Sequence, residues 1–251
     1  AALTAHAAPE HLPNSVVIDC SASEEVARRY AGWLAQGVHV VTANKKAGSA
    51  DMAYFQKMQD SRRASGAHFL YEATVGAGLP IIQTLRELRE TGDEVTGVEG
   101  ILSGTLAFLF NTYNGDVPFS EVVKDARQRG YTEPDPRDDL SGLDVARKLI
   151  ILAREMGLKL ELKDVTIESL IPNALKDVSV DEFMNRLSEF DGEMKQRYEA
   201  AKARGKKLRH VGRVNAKGEA SVPRALASGW SDMTIEPPSS PRRDEFGWRD
   251  G

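Results

Sequence analysis

Three short apolar runs, separated by stretches of helical period, leave this chain few architectures to choose from. Ser15–Asp19 (SVVID), Val38–Thr42 (VHVVT) and His68–Tyr71 (HFLY) each read as a buried strand. Between the first two, Ala27, Tyr30, Ala31 and Leu34 recur at i, i+3, i+4 and i+7, with Ser23 placed to cap the start and Gly37 to end it. Between the second and third, Ala43–Gly48 reads as a loop. Asp51–Ala64 then reads as a helix with Met52, Phe55 and Met58 on its buried side. Strand, helix, strand, helix, strand at this spacing calls for right-handed crossovers and a parallel sheet. Sheets of this kind bind ligands beyond the carboxyl ends of their strands. Here those ends carry Ser21–Ser23, Thr42–Lys45 and Glu72–Gly78, three loops of small and polar residues on one rim.

The rest of the chain alternates differently. Leu79–Glu90 reads as a helix, Val95–Leu102 as a strand, and Ser103–Thr105 leads into an apolar helix through Tyr113. Glu121–Arg129 is a helix stopped by Gly130, and Pro134 and Pro136 make Tyr131–Asp139 a loop. Leu140–Met156 is a strong helix that ends at Gly157. Asp181–Arg204 reads as one long polar helix, and Arg209–Asn215 with Glu219–Val222 as a hairpin across Ala216–Gly218. The lead-in to Asn14 is irregular. Beyond Pro223 the chain loses any sustained period, and Arg224–Gly251 reads as a loosely ordered tail.

Charge and cysteine usage exclude several function classes. Lys and Arg number 33 against 37 Asp and Glu, a formal net charge of −4, so no basic excess points to nucleic acid or an anionic membrane. No apolar run approaches the ~20 residues of a membrane span. The single cysteine, Cys20, cannot support an intrachain disulfide framework and fits a reducing compartment. Ala1–Asn14 has no charged stretch leading into an apolar one, so no targeting segment is visible. The chain opens on Ala1 and its first methionine is Met52, so it reads as a processed product or a piece of a longer one.

Carboxylates gather in one place: Glu133, Asp135, Asp138, Asp139 and Asp144. Asp144 and Lys148, four apart on a helix, share a face. They read either as a solvated ion pair or as a lysine held beside carboxylates at a cleft mouth, placed to hydrogen-bond a carbonyl oxygen or relay a proton. Lys45 and Lys46 after the second strand are ordinary loop lysines or a rim cation for a cofactor phosphate or substrate. In Glu72–Pro80 (EATVGAGLP), the glycines absorb positive φ, or carbonyls bent inward around them join Glu72 as an oxygen cage for a hard cation. Cys20 is a small buried residue or a cofactor contact. No G-x-G-x-x-G, P-loop or H-E-x-x-H occurs, and the five histidines show no ligand spacing.

ARQRGYTEPDPRDDLSGLDVARK (Ala126–Lys148) resembles the signature of homoserine dehydrogenases. VVTANKKAGS (Val40–Ser49), YEATVGAGLPII (Tyr71–Ile82) and EGILSGTLAFLFN (Glu99–Asn111) resemble that family's other blocks, in order. The wording is closest to the form fused to aspartate kinase in plants and some bacteria, and the similarity runs from about Asn14 to Val222. The resemblance implies an α/β chain with an incomplete Rossmann-like parallel-sheet domain at 1–75. An α/β substrate-binding and dimerisation domain would follow at 76–222, and a divergent tail at 223–251. The family's first strand and glycine-rich dinucleotide loop would lie ahead of Ser15, and its C-terminal return to the cofactor domain after Val222.

The implied activity is NAD(P)-dependent interconversion of aspartate 4-semialdehyde and homoserine, on the route to threonine, methionine and isoleucine. Lys148 would handle the proton at the aldehyde or alcohol oxygen, with Asp144 orienting the substrate and Glu133 contacting its amino group. Asp139, Tyr131, Gly104 and Thr105 would shape the pocket, and Ser21 and Lys45 would contact the NADP or NAD cofactor. Glu72 with the carbonyls of Val75, Ala77 and Leu79 would form a sodium site. Implied partners are a second copy of the chain and a fused aspartate kinase domain, with no nucleic acid or membrane, in a cytoplasmic or plastid setting. Two rivals are an inactive remnant, at most a dimerising module, and another nicotinamide-dependent dehydrogenase with the same layout.

Overall fold

The computed structural model describes residues 14–227 and 233–236. The irregular lead-in and most of the tail lie outside the described residues. The first layer is the parallel sheet the sequence calls for. Strands β1 (Val16–Asp19), β2 (His39–Thr42) and β3 (Phe69–Leu70) lie in that order, with Asp19 opposite Thr42 and Val40 opposite Phe69. The predicted first helix is two short ones, α1 (Glu24–Ala27) and α2 (Tyr30–Ala35). Ser23 caps α1 by accepting the Val26 N–H, and Gly37 reverses the chain at φ +80°. Tyr30, Trp33 and Phe69 fill the space between helix and sheet.

Two predicted loops hold helices instead. Lys45–Gly48 is a turn of helix, α3, because the Asn44 carboxamide accepts the Lys46 N–H and starts it. Pro136–Leu140 is a helix, α8, despite its proline. Asp135 caps it, and Pro136 sits at the first position, where a missing N–H is not needed. Helix α4 (Met52–Ser65) starts at an Asp51 cap and buries Met58 fully, whereas Met52 and Phe55 are only half-buried. Helix α5 (Ile81–Glu90) follows the glycine turn.

The second half is built on a five-stranded mixed sheet ordered β10-β4-β7-β8-β5. Its strands are β4 (Gly97–Gly100), β5 (Val165–Ile167), β7 (Gly212–Asn215), β8 (Ala220–Val222) and β10 (Met233–Glu236). The predicted hairpin is β7–β8, but the run from Arg209 breaks at Val211. The residues before it, β6 (Lys207–His210), pair with β9 (Arg224–Ala227) instead. Strands β9 and β10 correct the reading of everything after Pro223 as loosely ordered: β10 adds antiparallel to β4 through backbone pairing that needs no side-chain period.

Helix α9 (Leu143–Glu155) packs on strands β5, β7 and β8 of this sheet, while α6 (Gly104–Thr112) packs on β6 and α7 (Phe119–Gln128) packs on α6. Helix α9 is the spine of the molecule, fully burying Leu149, Ile150, Ile151, Leu152 and Ala153. It starts later than predicted because Gly142 takes φ +76°, a conformation costly for any residue with a Cβ. The long polar helix is broken. Val180–Arg186 (α10) and Asp191–Ala203 (α11) flank a 3-10 turn at Leu187–Phe190. Asp191 turns toward α7, where the Ser120 N–H and hydroxyl donate to its two oxygens at 2.7 and 2.6 Å.

Candidate active site

A buried polar knot beneath the strand ends fixes the rim of the parallel sheet. The Tyr30 hydroxyl donates to the Asp19 carboxylate and lies 2.9 Å from Thr42 Oγ1. Asn44 Nδ2 donates to Asp19 Oδ2 at 3.1 Å and to the Ser23 carbonyl at 2.9 Å. Burial raises the Asp19 carboxyl, but hydrogen bonds from Tyr30, Ser21 and Asn44 outweigh it, and its pKa lies below the ordinary carboxylate value. Desolvation first, and then the hydrogen bond to Asp19, push the Tyr30 phenol up. Asn44 thus ties both strand-end loops together. No sequence reading singled it out, although an asparagine two residues after a strand and before two lysines carries the signature of a helix cap.

Above this knot lies a cleft in two communicating lobes. One, of about 540 Å³, is lined by Cys20, Ser21, Asn44, Lys45, Lys46 and Arg147. The other, of about 520 Å³, is lined by Ser103, Gly104, Thr105, Phe108, Tyr131 and Lys148. Glu133, Asp139 and Asp144 line both. Cys20 is exposed, which removes the reading of it as a buried residue.

Asp144 stands at the junction of the lobes and bridges two cations. Its Oδ2 is 2.7 Å from Lys148 Nζ, and its Oδ1 is 3.1 Å from Lys45 Nζ. The i,i+4 ion pair is therefore real, yet it sits in the cleft rather than on a solvated face. Burial raises the Asp144 carboxyl, and the ammonium groups of Lys148 and Lys45 outweigh this to hold its pKa below the ordinary value. Lys148 also donates to the Leu102 carbonyl at 2.6 Å, so two partners aim its ammonium. That carbonyl had no signal in the sequence.

The acidic loop is folded around its own carboxylates. Asp139 Oδ2 accepts the Glu133 N–H at 2.8 Å, and Thr105 Oγ1 donates to the Tyr131 carbonyl at 2.7 Å. The Tyr131 ring meets Phe108 edge-on, with centroids 4.8 Å apart. Glu133 is left exposed toward the lobe, while Asp135 is spent on Arg137, whose guanidinium holds its pKa low. Arg137 in turn donates to the carbonyls of Lys176 and Val178. The small residues, exposed Ser21 and cationic Lys45 and Lys46 of the first lobe suit the nicotinamide end of a dinucleotide, whose ring needs room and whose phosphates need cations.

The glycine turn is separate from the cleft. Glu72 accepts the Ile82 N–H on Oε1 at 2.7 Å and the Gln83 N–H on Oε2 at 2.9 Å, so it caps α5. Gly76 and Ala77 both take positive φ, at 78° and 54°. The Leu79 carbonyl accepts the Ile81 N–H. One carboxylate with several carbonyls is a hard-oxygen donor set of the kind a sodium ion takes, and each of these oxygens keeps a further lone pair. Among the described residues, no group of three or more His, Cys, Asp or Glu side chains could hold a metal ion. No helix there is long and apolar enough to cross a membrane.

Fold and cleft together place the molecule in the α/β Rossmann-like class. The family model described as "Homoserine dehydrogenase, NAD binding domain" matches residues 1–72, and that described as "Homoserine dehydrogenase" matches residues 80–244. The chain belongs to the homoserine dehydrogenase family. The second match runs beyond Val222, where the resemblance read from the motifs ends.

The bifunctional aspartokinase/homoserine dehydrogenase 2, chloroplastic, of Arabidopsis thaliana is 56% identical over 206 residues, covering 82% of this chain and 22% of that protein. The chain spans about a quarter of the length of the curated relatives it matches. A crystal structure of a Candida auris protein of unknown function superposes with a TM-score of 0.84 at 38% identity, covering 89% of this chain and 67% of that one. A hyperthermophilic archaeal homoserine dehydrogenase in complex with NADPH gives a TM-score of 0.63 at 22% identity, covering 85% and 56%, a likeness of fold.

Proposed function

We propose that this chain carries the substrate-handling part of a homoserine dehydrogenase, interconverting L-aspartate 4-semialdehyde and L-homoserine with NADP or NAD. The bridge Lys45–Asp144–Lys148 at the junction of two lobes is the observation that carries this reading. The nicotinamide, when bound, supplies or accepts the hydride. Lys148 holds its ammonium where negative charge develops on the aldehyde oxygen, stabilises it, and delivers the proton. Asp144 and Leu102 fix that ammonium, and Asp144 also orients the substrate. Exposed Glu133 receives the substrate's ammonium, while Asp139, Tyr131, Gly104 and Thr105 shape its lobe. Ser21 and Lys45 face the cofactor lobe, where Lys45 balances phosphate charge.

Four further elements belong to the same reading. Glu72 and the carbonyls of Val75, Ala77 and Leu79 would hold sodium and stiffen the turn into α5. A second copy of the chain completes a homodimer. An aspartate kinase region belongs to the longer protein, supported by the bifunctional relatives. A plastid setting is supported by the chloroplastic names of the plant relatives.

The test is NADP-dependent oxidation of homoserine, followed by the absorbance of the reduced nicotinamide, beside a titration of NADPH binding. Turnover of homoserine but not of other amino alcohols supports the reading. NADPH binding with turnover of another alcohol supports a different dehydrogenase. No NADPH affinity at all supports an inert module. Sodium-independent stability and activity that Glu72→Ala leaves unchanged would remove the sodium assignment alone.

A further inference from the structure

At the far end of α9 the chain builds a second cavity, of about 240 Å³. Three helices end on it. Helix α4 contributes Arg62 and Arg63, α5 contributes Arg86 and Arg89, and α9 contributes Arg154, with Lys159 on the loop beyond. Asp144 and Arg154 are ten residues apart on one helix, roughly 15 Å at the helical rise, so this cavity is not the cleft.

Six cationic side chains here face two carboxylates in the cavity wall, Glu90 and Glu155, and Arg63 also pairs with Asp60 at 3.6 Å. The Glu155 carboxylate is already taken, accepting from the Tyr71 hydroxyl and, at 3.3 Å, from Arg86. Cations at such a place have an ordinary explanation, the negative end of a helix dipole, worth about half a charge. Three helix ends and three carboxylates offset about four and a half of the six positive charges, by that rule. About one and a half remain, in a chain whose formal net charge is −4.

The excess is partly buried, which makes it costly. Arg154 is 5% exposed and has no described carboxylate within ion-pair reach, and only the more distant Glu161 and Asp51 carboxylates attract it. Its donors go to the carbonyls of Gly48, Ala50 and Leu160, and burial lowers its pKa to about 10. Arg62 and Lys159 likewise pair with no described carboxylate.

We propose that this cavity is a binding site for a phosphate-bearing small molecule. A phosphate monoester dianion matches the uncompensated charge, and guanidinium forks suit its oxygens. The cavity is larger than one phosphate group, so the ligand carries a further part. Its wall joins α4 and α5 to the helix that bears Asp144 and Lys148, and an occupant would tie these elements together.

Isothermal titration calorimetry at constant ionic strength tests this, with inorganic phosphate as the probe and malonate and chloride as comparison anions. No step of the test depends on dehydrogenase activity. Phosphate should bind saturably at one site. Arg62→Glu with Lys159→Glu should weaken it at least tenfold, about 1.4 kcal/mol. Both side chains reach solvent, so the fold should survive; Lys159→Gln and Arg62→Gln singly, each expected to weaken binding, serve if the reversal does not fold. Lys45→Ala should leave this binding unchanged. Unsaturable binding, or full affinity in the Arg62 and Lys159 variants, overturns the proposal. Loss in Lys45→Ala assigns the phosphate to the cleft, and equal affinity for malonate removes the phosphate assignment.

Discussion

At its N-terminal end α9 holds Asp144 and Lys148 in an open cleft, whereas at its C-terminal end Arg154 and Glu155 are almost fully buried. Both ends carry a cation and an anion, and they put them to opposite uses. Asp144 and the lysines pair with one another and stay within reach of a ligand. Pairs this exposed add little stability, about 0–1 kcal/mol, so stability alone does not account for them. Arg154 spends its donors on three backbone carbonyls, and Glu155 accepts from Tyr71 and Arg86. Nothing is left over at Glu155, and removing a partner strands a desolvated group. Asp144 and Lys148 are therefore placed to exchange partners, and Arg154 and Glu155 to keep theirs. The second end also holds the carbonyls of Gly48, the last residue of the turn of helix that begins at Lys45, and of Ala50 just beyond it, so the rigid end helps to aim the exchangeable one.

Four measurements can break that contrast. Lys148→Ala should cut turnover by about a hundred- to a thousand-fold, the scale of losing a transition-state donor, while NADPH affinity and the thermal midpoint barely move. Loss of cofactor affinity instead would mean that Lys148 has been given the wrong role. Arg154→Met should cost about 3 kcal/mol in urea unfolding, since it uncovers buried carbonyls. The folded fraction should keep kcat within about tenfold, with KM rising as Lys45 loses its support. Tyr71→Phe should cost about 1–2 kcal/mol, read from the same unfolding curves, with no change in kcat.

Asp144→Asn gives the smallest effect and the sharpest one in pH. The folded pKa of Asp144 is lowered, so its contribution is fully present above the unfolded value, 3.8, and is lost as pH falls through the folded value. The variant should melt slightly below the parent at neutral pH, and the gap should close below about pH 4. A gap that persists in acid would show that Asp144 stabilises by packing and not by charge.

Where a local rule had no competitor, the sequence was legible. The three strands follow from short apolar runs and α4 from the helical period around Met58, although β1 leaves Val16 and Ile18 exposed where the sequence predicts a buried strand. The cleft residues carried their chemistry openly, as carboxylates and lysines near strand ends and helix starts. Legibility failed where partners distant in the chain decide. Pro136 looks like a helix breaker until its position in the turn is known. The break before Asp191 depends on Ser120, and β10 exists because β4 offers an unfilled side. Arg154 and Glu155 sit in an amphipathic pattern that cannot tell a surface charge from a buried one, because the oxygens that receive Arg154 lie on residues 48 and 50.

The pairing order of the mixed sheet has a consequence for synthesis. Strands β1, β2 and β3 all come from residues 16–70, so the parallel layer can close while the rest of the chain is still being made. Strand β4, at 97–100, must wait for residues 212–215 and 233–236 before either neighbour exists. On a ribosome adding ~5–20 residues per second, its open edges stay exposed for several seconds at least. Slow emergence of the last strands, more than any step within the first layer, should therefore set how much nascent chain is lost to aggregation.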